Sequence, residues 1–228
     1  MNTKAAIKFT LGRMFCLRPR IIGLLLPVLA MSLLTVIFPS QPEDFDYFSW
    51  IWANGFGMLF SYAFAIASIS DIYNSRYIRT STLYNAVIKT AVPVAALACA
   101  AVLQAIISLI HIVIGSFNHI PPAATADIVF FSAAQNALFM LWLTLPLLHV
   151  KWAFFVLYSM AYGFTAGFME GSEVGFTGLF GNADMPLLRS LIISAGLLAA
   201  MFFVTLFIGR LYYRRRGNRL PEIPTKLA

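Results

Sequence analysis

The stretch AVPVAALACAAVLQAIISLIHIVIG, residues 91–115, runs for 25 residues without an Asp, Glu, Lys or Arg. Coiled as a helix at 1.5 Å per residue it is about 37 Å long, enough to cross a hydrocarbon core about 30 Å thick. It reads as a membrane span and sets the scale for everything around it. Five further apolar stretches lie on either side, at 21–38, 51–69, 128–148, 152–169 and 187–209. The shortest, 18 residues, rises about 27 Å, which suffices once a small tilt or flanking aromatic residues are allowed. The expected fold is therefore an all-α integral membrane protein with one transmembrane domain over 1–228. An interfacial helix occupies 1–20, six transmembrane helices lie within 21–209, and a basic tail covers 210–228.

The composition of the 228 residues agrees: 60% are hydrophobic and 11% charged, and the mean hydropathy is +0.81. A soluble domain carries about 25% charged residues, so this chain lacks the charge to coat a globule. Its 21 Phe, 9 Tyr and 4 Trp need a solvent other than water. A bilayer also accounts for the net charge of +7, because basic residues beside spans are drawn to anionic headgroups. No nucleic acid is implied. Cys16 and Cys99 are too few for a disulfide framework and match no metal-ligand spacing.

Charge distribution orients the spans. With both termini in the cytoplasm, fifteen of the sixteen basic residues fall inside and only Arg189 lies outside. Glu43, Asp44, Asp46, Asp127, Glu170, Glu173 and Asp184 fall outside, leaving Asp71 and Glu222 within. An odd number of spans breaks this asymmetry, which is the signature of positive-inside orientation. The N-terminal basic stretch and the 18-residue apolar run after it are followed by Phe38-Pro-Ser-Gln-Pro42, with no small-x-small cleavage site, so the first span is expected to be retained.

The connecting segments carry the remaining information. In residues 4–17, Ile7, Leu11, Met14 and Phe15 share one helical face, with Lys8, Gly12 and Arg13 away from it and Pro19 expected to end the helix. A basic amphipathic helix beside a span is expected to lie in the interface, whether as a plain anchor or with a further task. Between the second and third spans, Asp71 to Lys89 is too long for a simple turn. Tyr73, Tyr77, Thr80 and Tyr84 would form a stripe on a helix over about 71–86, flanked by Arg76 and Arg79. Tyr and Arg are favoured at protein contacts, and Tyr equally forms headgroup-level belts; the segment alone leaves both open. The connection from His149 to Trp152 is a minimal turn. Residues 170–186 are half apolar, with Val174, Phe176, Leu179 and Phe180, and are expected to dip back as a re-entrant segment or cover the helix ends. Gly163, Gly167, Gly171 and Gly175 recur every fourth residue, a small-residue face for helix packing within the chain or between subunits.

Catalytic signatures are missing: no Gly-x-Ser-x-Gly elbow, no His-Glu-x-x-His helix and no phosphate-binding loop. Every charged residue lies at or beyond an end of a span, Arg189 at the start of the last, and this lack of internal acids and bases argues against a proton- or sodium-coupled carrier. The polar residues of the spans are Gln104, His111, Gln135, Asn136 and scattered Ser and Thr; nothing ties His111, His119 and Asp127 into a metal site, so no metal is expected.

The order of parts resembles the ABC type-2 permease family. Those features are an interfacial helix (4–17), six spans with both ends inside, a cytoplasmic helix between spans two and three (about 71–86), and a half-buried segment between spans five and six (170–186). Asp71, Ser75-Arg76-Tyr77 and Lys89 resemble the family's acid, then basic and aromatic coupling region; the Leu-Pro common after it is replaced by Leu83-Tyr84. The resemblance implies a permease subunit of an ATP-driven exporter and no enzyme activity in this chain. ATP and Mg would be held by separate cytoplasmic ATPase subunits, docked on Tyr73, Arg76, Tyr77, Arg79 and Tyr84. It further implies a second permease copy or paralogue, two permeases with two ATPases. The surroundings are membrane lipid in the plasma membrane of a bacterium, and the cargo is hydrophobic or amphipathic: a peptide toxin or bacteriocin, a drug or a lipid. The competing readings are a substrate-binding membrane subunit of a vitamin importer and a non-transporting assembly or immunity protein.

Overall fold

A computed structural model describes residues 3–15, 18–37, 47–74, 86–117, 122–144 and 186–216. Among these, the chain is helical throughout, with no strand. In chain order the helices are α1 (Thr3–Phe15), α2 (Arg18–Ile37), α3 (Tyr47–Asn74), a π turn (Val87–Ala91) leading into α4 (Val92–Phe117), α5 (Pro122–Thr144) and α6 (Leu187–Arg216). Three stretches are long and apolar enough to cross a membrane: Val87–Phe117, Thr125–Thr144 and Leu187–Leu211. α1 and α2, which meet at 68°, make a fourth if taken as one broken span, and Ala53–Ile69 of α3 is a shorter apolar stretch. Several long apolar helices in one bundle make this a membrane-embedded protein. The apolar stretch 152–169 and residues 170–185 lie outside the described residues.

Helix ends differ from the sequence expectation in ways local chemistry explains. Pro19 does not end α1; it sits in the first turn of α2, where its missing N–H has no helical partner to lose. Pro122 opens α5 for the same reason, earlier than residue 128, so Asp127 is a half-buried helical residue and not part of a loop. α6 runs on through Arg210 to Arg216, since Arg forms helices well and cations near the C-terminus complement the helix dipole. α3 continues to Asn74, taking in Asp71 and Tyr73. The π turn has a cause in Pro93, which cannot donate to the Lys89 carbonyl four residues back and would crowd it. The widened turn shifts the bonding, and the Val92 N–H reaches the Val87 carbonyl.

Cross-helix contacts fix the direction of each helix. Ser32 bonds Asn54, while positions 27, 28 and 31 meet Gly57 and Gly23 meets Phe64, so α2 and α3 are antiparallel. Asn54 pairs with His111 on α4. Gln104 reaches Val129 and Ser132 while Asn136 reaches Ala100, so α4 and α5 are antiparallel. Ser190 donates to the Ala126 carbonyl, Ser194 to that of Val129, and Leu198 packs with Ala137 and Met140. α5 and α6 therefore run parallel, and Thr144 and Leu187 lie at opposite ends of the bundle.

Burial grades from centre to edge: 72% of the α5 span is buried against 17% of the α6 span. The main core joins Met58, Tyr62 and Ile69 of α3 to Ala95, Cys99 and Leu103 of α4 and Phe139 of α5. Phe56, Phe60 and Phe64 on α3, Leu109 and Val113 on α4, and Ile192, Phe203 and Phe207 on α6 are exposed large apolar side chains, as a lipid-facing surface requires. Several hydroxyls return to their own helix: Thr35 to the Ser32 carbonyl, Ser68 to Phe64, Thr144 to Met140 and Thr205 to Phe202.

Candidate functional site

The polar residues of the bundle gather in two layers. The central one joins the midpoints of three helices: Tyr62 of Tyr47–Asn74, Gln104 of Val92–Phe117 and Asn136 of the span Thr125–Thr144. The Tyr62 hydroxyl donates to Asn136 Oδ1 at 2.6 Å. Asn136 Nδ2 donates to the Ala100 carbonyl at 2.8 Å and lies 3.5 Å from Gln104 Oε1. Gln104 Nε2 donates to the Val129 carbonyl at 2.9 Å and the Ser132 hydroxyl at 3.2 Å. Ser132 and Ser194 donate to the same Val129 carbonyl, which brings α6 into the layer. Every member is buried. Tyr62 is held in place by stacking on Phe139, ring centroids 5.2 Å apart and planes 18° apart. The first principle of such a layer is satisfaction, because each polar atom in an apolar medium requires a partner; a satisfied network also fixes helix register. One hydroxyl is the exception: Ser61, fully buried beside Tyr62, makes no hydrogen bond among the described residues.

The second layer lies about 10 Å along the bundle, since His111 is seven residues beyond Gln104 at 1.5 Å rise. Ser32 Oγ donates to Asn54 Oδ1 at 2.7 Å, and Asn54 Nδ2 lies 2.9 Å from His111 Nε2. All three are buried, and they tie α2, α3 and α4 together. Just inward, Gly57 lets α2 and α3 come into backbone contact: a Cβ there would stand 3.0 Å from the Pro27 carbonyl and 3.1 Å from Val28 Cα. Chemically, the two layers hold helices in register and carry one titratable imidazole; among the described residues no three His, Cys, Asp or Glu side chains gather as metal ligands.

Of the residues expected from sequence to matter, those of α1 and Tyr73 are described, and neither belongs to the two layers. On α1, the buried face is Ala6, Thr10 and Met14, turned toward the bundle, and Ile7, Leu11 and Phe15 are half-buried beside the main core. The helix thus packs on protein along one edge of the apolar face, with Lys4, Lys8 and Arg13 exposed. α1 contacts the π turn, α3 and α4. The Arg20 guanidinium donates to the Arg13 carbonyl at 2.9 Å and closes the corner between α1 and α2. Tyr73 is in the last turn of α3. Arg76, Tyr77, Arg79 and Tyr84 lie outside the described residues, as do Gly163, Gly167 and Gly171.

Gln104, His111, Gln135 and Asn136 stand out in the sequence as polar residues within spans, but their partners Ser32, Asn54 and Tyr62 do not. The signal that could find them is period: Asn54 and Tyr62 lie eight apart, as Gln104 and His111 lie seven apart, so each pair shares a helix face. Comparison with protein-family models, with curated proteins and with solved structures gives no match.

Proposed function

We propose that the chain is the permease subunit of an ATP-driven exporter of the ABC type-2 kind, with six spans and both termini in the cytoplasm. On this reading 152–169 forms the fifth span. The parallel course of α5 and α6 supports it, because a chain leaving Thr144 at one end of the bundle has to regain Leu187 at the other. The segment of residues 75–85 then faces the cytosol as the seat of a separate ATPase. The observation that carries this most directly is the packing of α1 against α3 and against the π turn, the two elements flanking that segment. A push on the segment is thereby delivered to a braced corner of helices, from which the α4 entry can be moved as a unit. The cargo would be hydrophobic or amphipathic, a peptide, a drug or a lipid, moved outward between two permease chains; ATP and Mg belong to the partner.

The test is purification of the tagged chain from its own cell in mild detergent with ATP and Mg. An ATP-hydrolysing chain in near-equal amount, lost when Arg76 and Tyr77 become alanine, supports the exporter. Tight retention of a small vitamin favours an importer subunit. Recovery of the chain with neither leaves a non-transporting membrane protein.

A further inference from the structure

The Ser32–Asn54–His111 chain has a fixed polarity. Ser32 Oγ–H donates to Asn54 Oδ1, so the group 2.9 Å from His111 Nε2 is the amide nitrogen of Asn54. An amide NH2 can only donate; Nε2 therefore carries no proton, and the ring is the neutral Nδ1–H tautomer. We propose that His111 is an intramembrane proton-binding site and that Ser32 and Asn54 form a relay whose polarity reverses when the site is filled. Ionisable groups inside a bundle ordinarily mark a proton, ion or ligand site. This one lies six residues from Phe117, about 9 Å along the helix from the end of α4.

The step balances. A proton from water forms a bond to Nε2, and a hydroxide or a buffer base is left outside. Two donors then face each other, and a half-turn of the Asn54 amide places Oδ1 against Nε2–H and NH2 against the Ser32 oxygen. The Ser32 hydroxyl accepts where it formerly donated. All three side chains keep a partner in both states, so the two arrangements differ by one proton and one rotation. The other charged groups of the described helices at this end are Asp127 on α5 and Arg189 on α6. Tyr62 on α3 and Cys99 on α4 lie at or beyond the central layer, while the cations of α1 and α2, Asp71 of α3 and Lys89 sit at the opposite end.

The test is nitrogen NMR of the full chain in lipid nanodiscs with labelled imidazole, His111 being assigned by its loss in His111→Gln. At about pH 7.5 the expected signals are those of the Nδ1–H tautomer. Ser32→Ala frees the Asn54 amide to turn, and His111 is expected to become a mixture of tautomers although Ser32 never touches it. Asn54→Asp, an acceptor only, should hold the ring protonated at the same pH. On acidification below the ordinary imidazole range, both ring nitrogens should acquire protons together with a shift of the Asn54 side-chain amide signals. An Nε2–H tautomer at rest, indifference of the ring to Ser32→Ala, or protonation without movement of the Asn54 amide would each overturn the proposal. None of these readouts depends on an ATPase, so they stand or fall apart from the exporter reading.

Discussion

Replacing Asn136 with leucine, which keeps the branched side-chain skeleton but puts two methyls where the amide oxygen and nitrogen stood, should loosen the bundle at its centre. The substitution removes the acceptor of Tyr62 and the donor to the Ala100 carbonyl. Interhelical hydrogen bonds in membrane proteins average about 0.6 kcal/mol, and stranding the buried Tyr62 hydroxyl, which stacking on Phe139 keeps from turning away, adds about 1–2 kcal/mol. The expected loss is about 2–3 kcal/mol. Tyr62→Phe alone should cost about 1 kcal/mol. In the double variant no hydroxyl is stranded and the shared bond is lost only once, so its loss should fall short of the sum of the single losses by about 2–3 kcal/mol. Equilibrium unfolding in mixed micelles, followed by circular dichroism, gives all three values. Additivity within about 0.5 kcal/mol would refute the claim that Tyr62 and Asn136 are bonded partners at the midplane.

Other outcomes follow from the same packing. Gly57→Ala should destabilise by about 1–3 kcal/mol, because the new methyl meets backbone at about 3 Å. Gly196→Ala on α6, where nothing stands within 4 Å, should be neutral or stabilising by up to about 1 kcal/mol; thermal unfolding of the two in one detergent compares them directly. Ser61→Ala removes a buried hydroxyl that has no partner among the described residues and should raise stability by up to about 1 kcal/mol, measured the same way. Cys99 is fully buried, so in a Cys16→Ser background maleimide should label the chain only once it is unfolded.

The apolar helices were legible because a bilayer demands a long uncharged run, and α4 is such a run from end to end. Helix termini were less so: Pro19 and Pro122 are breakers in a helix interior but openers in a first turn, and which applies depends on the chain before them. On α1 the large side chains Ile7, Leu11, Met14 and Phe15 mark the apolar face, and Met14 is indeed buried, but close packing adds the small Ala6 and Thr10 to the inner face while Ile7, Leu11 and Phe15 are only half-buried. Regular glycine spacing is visible in the sequence at residues 163–175, which lie outside the described residues, while the tight approach of α2 and α3 depends on Gly57, which has no such repeat. The polar layers needed register between helices. Asn136 announces a buried amide, but only relative helix height decides that its partner is Tyr62 and not another residue.

The measurement that bears most directly on the central claim is the sidedness of the segment after α3. In a Cys16→Ser background, single cysteines at Arg79, Glu43 and Glu173 are exposed in intact cells to a membrane-impermeant maleimide. The account predicts labelling at positions 43 and 173, and none at 79 until the cells are opened. Labelling at 79 from outside would place that segment beyond reach of a cytosolic ATPase and contradict the proposed function.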